Sequence, residues 1–143
     1  MNTLSSTGED LIKSFEQLRF VAYLDQRGRW TIGWGHTGPE VVEGMTCTPE
    51  QAERWFQEDT AWAVKGSDDS IHTNVNQQQF DALVSFTFNI GVGAEAHSTM
   101  IKLINQRNLT AAAAEFTKWD HVNGVVNAGL QRRRLAEQAL FLS

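Results

Sequence analysis

Cysteine is almost absent from this sequence: Cys47 is the only one among 143 residues. A single thiol cannot form an internal disulfide, so packing must hold the fold, which suits synthesis in a reducing compartment. No run approaches the roughly 18 apolar residues of a membrane span, so stable membrane insertion is not expected. Met1 to Asp10 has neither a basic start nor an apolar core, and a secretory signal is therefore not evident. The chain is expected to be soluble and unable to export itself. His72, His97 and His121 are scattered and form no ligand set at metal spacing, so neither a metal nor another cofactor is expected. Basic residues interleaved with aromatics are also missing, which argues against nucleic-acid binding.

What is present is an ordinary globular composition, 41% hydrophobic and 20% charged. That length and composition fit one compact domain, expected to be monomeric, with a core of real size. The net charge of −5 is unevenly spread. Residues 1–100 hold 6 basic and 14 acidic side chains, whereas residues 101–143 hold 6 and 3. A cationic C-terminal face would favour an anionic polymer, although an ordinary solvated surface reads the same way.

Taken in order, Ser6 and Glu9 have the spacing of a capping box, and Leu11, Ile12, Phe15 and Leu18 recur at helical spacing, which predicts a helix over 7–17. Residues 20–25 and 30–36 are rich in aromatic and β-branched types and flank Gln26-Arg27-Gly28-Arg29, which predicts a hairpin with Gly28 at positive φ. Gly33 and Gly35, inside the second strand, imply a close backbone approach by another segment or a ligand. Val41 and Val42 are candidates for a short third strand. Thr48-Pro49-Glu50-Gln51 opens a helix predicted to run to about residue 65, where Lys65-Gly66-Ser67-Asp68-Asp69 reads as a break. Asn76-Gln77-Gln78-Gln79 opens a helix apolar nearly all round that stops at Gly91. Further helices are predicted at 97–106, 110–119 and 129–141. The fold class is α+β and mostly helical. A small β-hairpin lobe (18–48) and a larger helical lobe (1–17 and 66–143) flank a cleft, bridged by helix 49–65.

Glu16 closes the first helix, Asp25 ends the first strand and Thr31 lies in the second. A helix end and a hairpin can hold two carboxyl groups on opposite walls of a cleft, as acid/base cleavage of a glycosidic bond requires. The spacing itself, Glu16, eight residues, Asp25, five residues, Thr31, resembles the signature of the bacteriophage lysozymes, a glycoside hydrolase family. Thr31-Ile32-Gly33-Trp34-Gly35-His36-Thr37 is similar to that family's Thr-Ile-Gly-aromatic-Gly-His-Thr segment. The resemblance continues through Asn76 to Phe86, Phe88-Asn89-Ile90-Gly91 and Ser98-Thr99, and ends with Gly129-Leu130, Arg133-Arg134 and Glu137 in the closing helix. Glu95-Ala96-His97 and Trp119-Asp120-His121 depart from the pattern, away from the acid pair.

The resemblance implies a muramidase that cleaves the β-1,4 bond between N-acetylmuramic acid and N-acetylglucosamine in bacterial peptidoglycan. Glu16 would be the general acid. Asp25 would steer the attacking water or stabilise positive charge at the anomeric carbon, and Thr31 would position the water. Arg133 is the partner for Glu16 by motif position, with Arg132 and Arg134 expected in solvent. His36 reads as structural, bracing the hairpin through an acid or a carbonyl. Asn89 and Asn123 are candidate sugar hydrogen-bonders that also read as helix-end and turn residues, and Phe88 is a candidate groove residue. Most of the five tryptophans read as core. The implied biology is a phage endolysin held in the host cytoplasm until lysis, reaching the periplasm and cell wall through a holin-type pore. A lytic transglycosylase, which needs no positioned water, and a non-catalytic wall-binding protein are the alternatives.

Overall fold

The computed structural model describes all of residues 1–143. Helix α1 spans Ser6–Phe15. Strands β1 (Arg19–Leu24), β2 (Trp30–Gly33) and β3 (His36–Thr37) form one antiparallel sheet in that order. Then come α2 (Pro49–Ser70), α3 (Gln77–Ile90), α4 (Val92–Ala96), α5 (Thr99–Asn105) and α6 (Leu109–Glu115), followed by a 3₁₀ turn at Phe116–Lys118. Strands β4 (His121–Val122) and β5 (Val125–Val126) make a separate hairpin before α7 (Ala128–Leu142). No helix is long and apolar enough to cross a membrane.

Local chemistry explains most of these boundaries. Thr48 and Gln51 form a complete capping box at the start of α2, with Pro49 at its first position, and Asn76 and Gln79 do the same for α3. At α1 the cap is Ser5 rather than Ser6. Its hydroxyl accepts from Gly8 N–H and donates to the Asp81 carboxylate on α3, so a tertiary partner selects the residue one position earlier. Glu9 takes no part in a capping box there. The helix also ends earlier than expected, at Phe15.

Three other expectations are corrected. The third strand is His36–Thr37 and not Val41–Val42, because a turn at Trp34-Gly35 folds the end of the predicted 30–36 strand back onto β2. The stretch Lys65 to Asp69 is no break: α2 continues to Ser70. Gly66 and Ser67 are buried in that extension. A Cβ at Gly66 would come within 2.6 Å of Val92 Cγ1, so the glycine is a seat for α4 and not a helix terminator. The segment from His121 to Gly124, which falls between the helices expected at 110–119 and 129–141, opens a hairpin. Asn123 and Gly124 both have positive φ (51° and 80°), as a tight two-residue turn requires.

The core is one cluster of 16 buried apolar residues drawn from α1, α2, α3, α5, α6, α7 and the segments between them. At its centre α3 is buried from Phe80 through Thr87 and packs against α1, α2 and α7. Helix α2 touches β2 and β3 as well as α3 and α4, so the sheet and the helical core share it as a common wall.

Candidate active site

The end of α1 delivers Glu16. Its backbone leaves the helical region (φ −98°, ψ 100°) while its N–H still donates to Ile12 O, so the side chain departs from the helix toward the sheet. The carboxylate lies against Gly35, which has φ +78°, and any Cβ there would overlap the carboxylate. The close approach implied by glycine within the strand is thus made by Glu16.

Behind Glu16 is a buried ionic network. Arg133 Nη1 donates to Glu16 Oε1 at 2.7 Å, its Nε to Glu137 Oε2 at 3.2 Å, and its Nη2 to Ser85 O at 3.0 Å. Ser85 Oγ donates to Glu137 Oε2 at 2.6 Å. Arg134, expected in solvent, is fully buried. It pairs with Glu137, donates to Trp119 O at 2.9 Å and to Asn89 Oδ1, and lies over the Phe86 ring. Two guanidinium groups thus meet two carboxyl groups, Glu16 and Glu137, in one hydrogen-bonded network. Arg132 is exposed.

Across the cleft, Asp25 follows β1 and ties the hairpin turn together. Its Oδ1 accepts from the backbone N–H groups of Arg27 (2.8 Å) and Arg29 (2.9 Å), and its Oδ2 accepts from Arg29 Nε at 3.0 Å. Burial alone would push this carboxyl up. The two backbone N–H groups and the Arg29 guanidinium outweigh it and hold the group below the usual aspartate range. Thr31, on β2, is buried, and its hydroxyl donates to Arg29 O at 3.0 Å, which leaves the oxygen lone pairs to accept.

These side chains face one open cleft of about 950 Å³. Glu16, Asp25, Thr31, Phe88, Asn89 and Arg133 all line it. Two sequence candidates do not. Asn123 sits at the tip of the β4–β5 turn with positive φ and does not line the cleft. His36, on β3, packs against α2. Its Nδ1 meets Asp59 Oδ2 at 2.8 Å, its Nε2 meets Glu40 Oε1 at 2.6 Å, and its ring stacks on Trp55 with centroids 4.8 Å apart. Burial pushes the His36 imidazole down, but the two carboxylates outweigh it and leave it above the ordinary histidine value. Asn89 reaches the cleft with its Oδ1 engaged by Arg134, and Phe88 packs on Phe56 with centroids 6.0 Å apart while its edge reaches the groove.

Sequence reasoning missed Asn127 and Trp62 in the cleft, and the burial of Arg134 outside its lining. Asn127 caps α7 and donates from Nδ2 to Gln26 Oε1 at 2.9 Å, joining the hairpin turn to the helical side at one end of the cleft. Its signal was an asparagine three residues before Leu130, at the head of the closing helix. Trp62 lines the other end and is 70% exposed, which a helical period cannot reveal. The burial of Arg134 had no local signal, since a run of three arginines reads as solvated.

The phage lysozyme family model matches residues 13–137 of the chain. The endolysin of Bacillus phage PZA is 42% identical over 142 residues, covering 98% of this chain and 55% of that protein. The endolysin of Salmonella phage P22 is 41% identical over 147 residues and is covered in full. The chain thus spans about half the length of the first relative and the whole of the second. Among solved structures, the muramidase domain of SpmX from Asticaccaulis excentricus superposes with a TM-score of 0.89 at 41% identity, over 100% of this chain and 99% of that one. The matched span carries Glu16, Asp25, Thr31 and the Arg133–Glu137 network. By sequence and by fold, the chain belongs to the phage lysozyme family.

Proposed function

We propose that the protein is a muramidase that hydrolyses the β-1,4 bond between N-acetylmuramic acid and N-acetylglucosamine in bacterial peptidoglycan, and that it acts as a monomeric phage endolysin. On this reading the chain stays in the host cytoplasm until lysis opens a route to the wall. The observation that carries the reading is the placement of Glu16: one carboxyl oxygen is fixed on Arg133 while the group faces a cleft that also holds Asp25 and Thr31. The sheet side of the cleft, built on 18–48, and the helical side each supply part of the machinery, with the long helix from Pro49 as their shared wall.

Glu16 is the general acid. Its proton goes to the glycosidic oxygen as the bond to the anomeric carbon breaks and an oxocarbenium-like centre forms. Arg133 fixes the carboxyl through Oε1, which leaves Oε2, on the Gly35 side, for the leaving oxygen. Asp25 is ionised at neutral pH, and the bonds that tie it to Arg27 and Arg29 make it a weak base. It therefore acts by orienting the water and stabilising positive charge at the anomeric carbon, with little proton abstraction before the transition state. The Thr31 hydroxyl, anchored to Arg29 O, accepts from the same water. Attack by a water held on the Asp25 side, opposite the acid, inverts the anomeric configuration. Asn89 and Phe88 contact the glycan from the helical wall.

Mass spectrometry of digested, purified peptidoglycan tests this directly. Reducing muramic acid ends are expected, and Glu16→Gln should abolish their release while leaving the thermal transition in place. Anhydro ends would establish a lytic transglycosylase, and wild-type-like release by Glu16→Gln would sink the assignment of the acid.

A further inference from the structure

Trp62 is the most exposed of the large rings, at 70%, and it stands on the wall of the cleft. Three of the other four tryptophans are engaged: Trp34 against Phe56, Trp55 against His36, and Trp119 against Phe86. Trp30 is half-buried in the sheet. Trp62 stacks on no ring and on no cation, and its indole N–H finds no acceptor within the protein.

Its position in the cleft is distinct from that of the Gln26–Asn127 bridge. Strand β2 runs from the hairpin turn at Asp25–Arg29 to Gly33, and the chain then turns at Trp34-Gly35 into His36, which contacts Asp59 on α2. Four residues of strand span roughly 13 Å, so the α2 end lies beyond Glu16 and Gly35 from the hairpin turn. Asp59 lies one turn before Trp62 on α2, and Thr37 on β3 and Ile90, Gly91 and Val92 at the α3–α4 junction line the same cleft.

We propose that Trp62 and Asp59 form a saccharide subsite at the α2 end of the cleft, which holds an N-acetylhexosamine unit of the glycan strand remote from the bond that is cut. This rests on the glycan-hydrolase reading. A pyranose ring presents a C–H face, which packs on a flat aromatic surface, and a rim of hydroxyls, which need acceptors. Trp62 supplies the flat face and an N–H donor. Asp59 supplies the acceptor: Oδ2 is held by His36 Nδ1, while Oδ1 makes no bond within the protein. His36 is itself clamped by Glu40 and Trp55, so the Asp59 carboxylate is held in one orientation before sugar arrives. A ring so exposed contributes little to the core, and its place beside an anchored carboxylate is what recognition of a sugar requires.

The test compares the full chain with Trp62→Ala and Trp62→Phe on purified sacculi, and Glu16→Gln with Glu16→Gln/Trp62→Ala in binding of an N-acetylglucosamine hexamer by calorimetry. Trp62→Ala is expected to raise KM for sacculi by about three- to tenfold, equivalent to about 0.7–1.4 kcal/mol, with kcat at saturation within about twofold of wild type. Trp62→Phe, which keeps a flat ring, should recover most of that loss. The hexamer should bind more weakly by the same factor in the double variant, and the melting temperature of Trp62→Ala should match wild type because the ring is exposed. An unchanged KM, a fall in kcat alone, or equal hexamer affinity in both backgrounds overturns the subsite. Absence of hexamer binding in both overturns it as well, since a saccharide subsite must hold sugar without peptide. If the wild-type chain releases no reducing ends from sacculi, the hydrolase reading fails instead, and the calorimetric comparison still decides whether Trp62 binds saccharide.

Discussion

Glu95, on α4, is fully buried with only one carboxyl oxygen satisfied: Ser70 Oγ donates to Oε1 at 2.5 Å, and Oε2 has no partner. Burial pushes this carboxyl from its ordinary 4.5 up to about 7, against the smaller opposing effect of the Ser70 hydroxyl. Because the folded value lies above the unfolded one, the fold prefers the protonated acid. That preference costs nothing below about pH 4.5; the penalty accumulates between 4.5 and about 7, where only the unfolded chain has lost its proton, and levels off above that. Integrated over the gap, the penalty at pH 8 is about 3 kcal/mol. Glu95→Gln keeps the shape and the Ser70 hydrogen bond but stays neutral at every pH. The variant should therefore melt with the wild type near pH 4 and be more stable by about 3 kcal/mol at pH 8, or about 6–12 °C for a chain of this size. Calorimetric melts of both proteins from pH 4 to 8 measure the difference, in which other titrating groups cancel. Parallel curves across that range, or a variant less stable at pH 8, would refute the reasoning.

Two further outcomes follow from the site. Gly35→Ala adds a methyl against the Glu16 carboxylate and strains a φ of +78°, at about 1–2 kcal/mol for the backbone. It should lower kcat on peptidoglycan at least about tenfold, well beyond what a Tm loss of several degrees explains; near-normal turnover would mean that Glu16 need not lie there. His36→Asn removes a group whose folded pKa is raised, so the stabilisation it loses is fully present below about pH 6.5 and fades as pH rises through the folded value. The melting difference from wild type should be larger at pH 5.5 than at pH 8.5, and the reverse order would exclude the Asp59 and Glu40 pairing as its source.

What could be read from the sequence was what short-range chemistry determines. The capping boxes at Thr48 and Asn76 announce α2 and α3 because a hydroxyl or amide and its glutamine partner sit three residues apart. The apolar run after Phe80 announces the central helix. The hairpin, its Gly28 turn and the acid at each end of it are equally local. Reading failed where a distant group decides. Gly66 resembles a breaker until Val92 packs on it, and Ser6 resembles the cap until Asp81 engages Ser5. Arg134 resembles a solvated residue until Glu137, Asn89 and Trp119 enclose it. Asn123-Gly124 is a different case, because its hairpin signal was present but the strands are only two residues each. Within the site, Glu16 and Asp25 were legible as acids on separate elements. That Asp25 would also tie the turn, and so be a weak base, became legible only with its partners in place.

The shared carboxylate of Glu137 gives the molecule an uneven mutational terrain. Two buried guanidinium groups rest on it, and one of them holds the proposed acid. Losing Glu137 alone leaves two cations facing only Glu16, so single steps at positions 85, 133, 134 or 137 each strand a buried partner, and only coordinated changes keep the set intact. Gln26 and Asn127 are joined at the cleft rim by one exposed hydrogen bond and carry no buried charge. Drift can therefore reshape the mouth of the cleft one residue at a time while the chemistry beneath is confined to a few joint moves. A lineage built on this fold would diversify in what it admits long before it changed what it does.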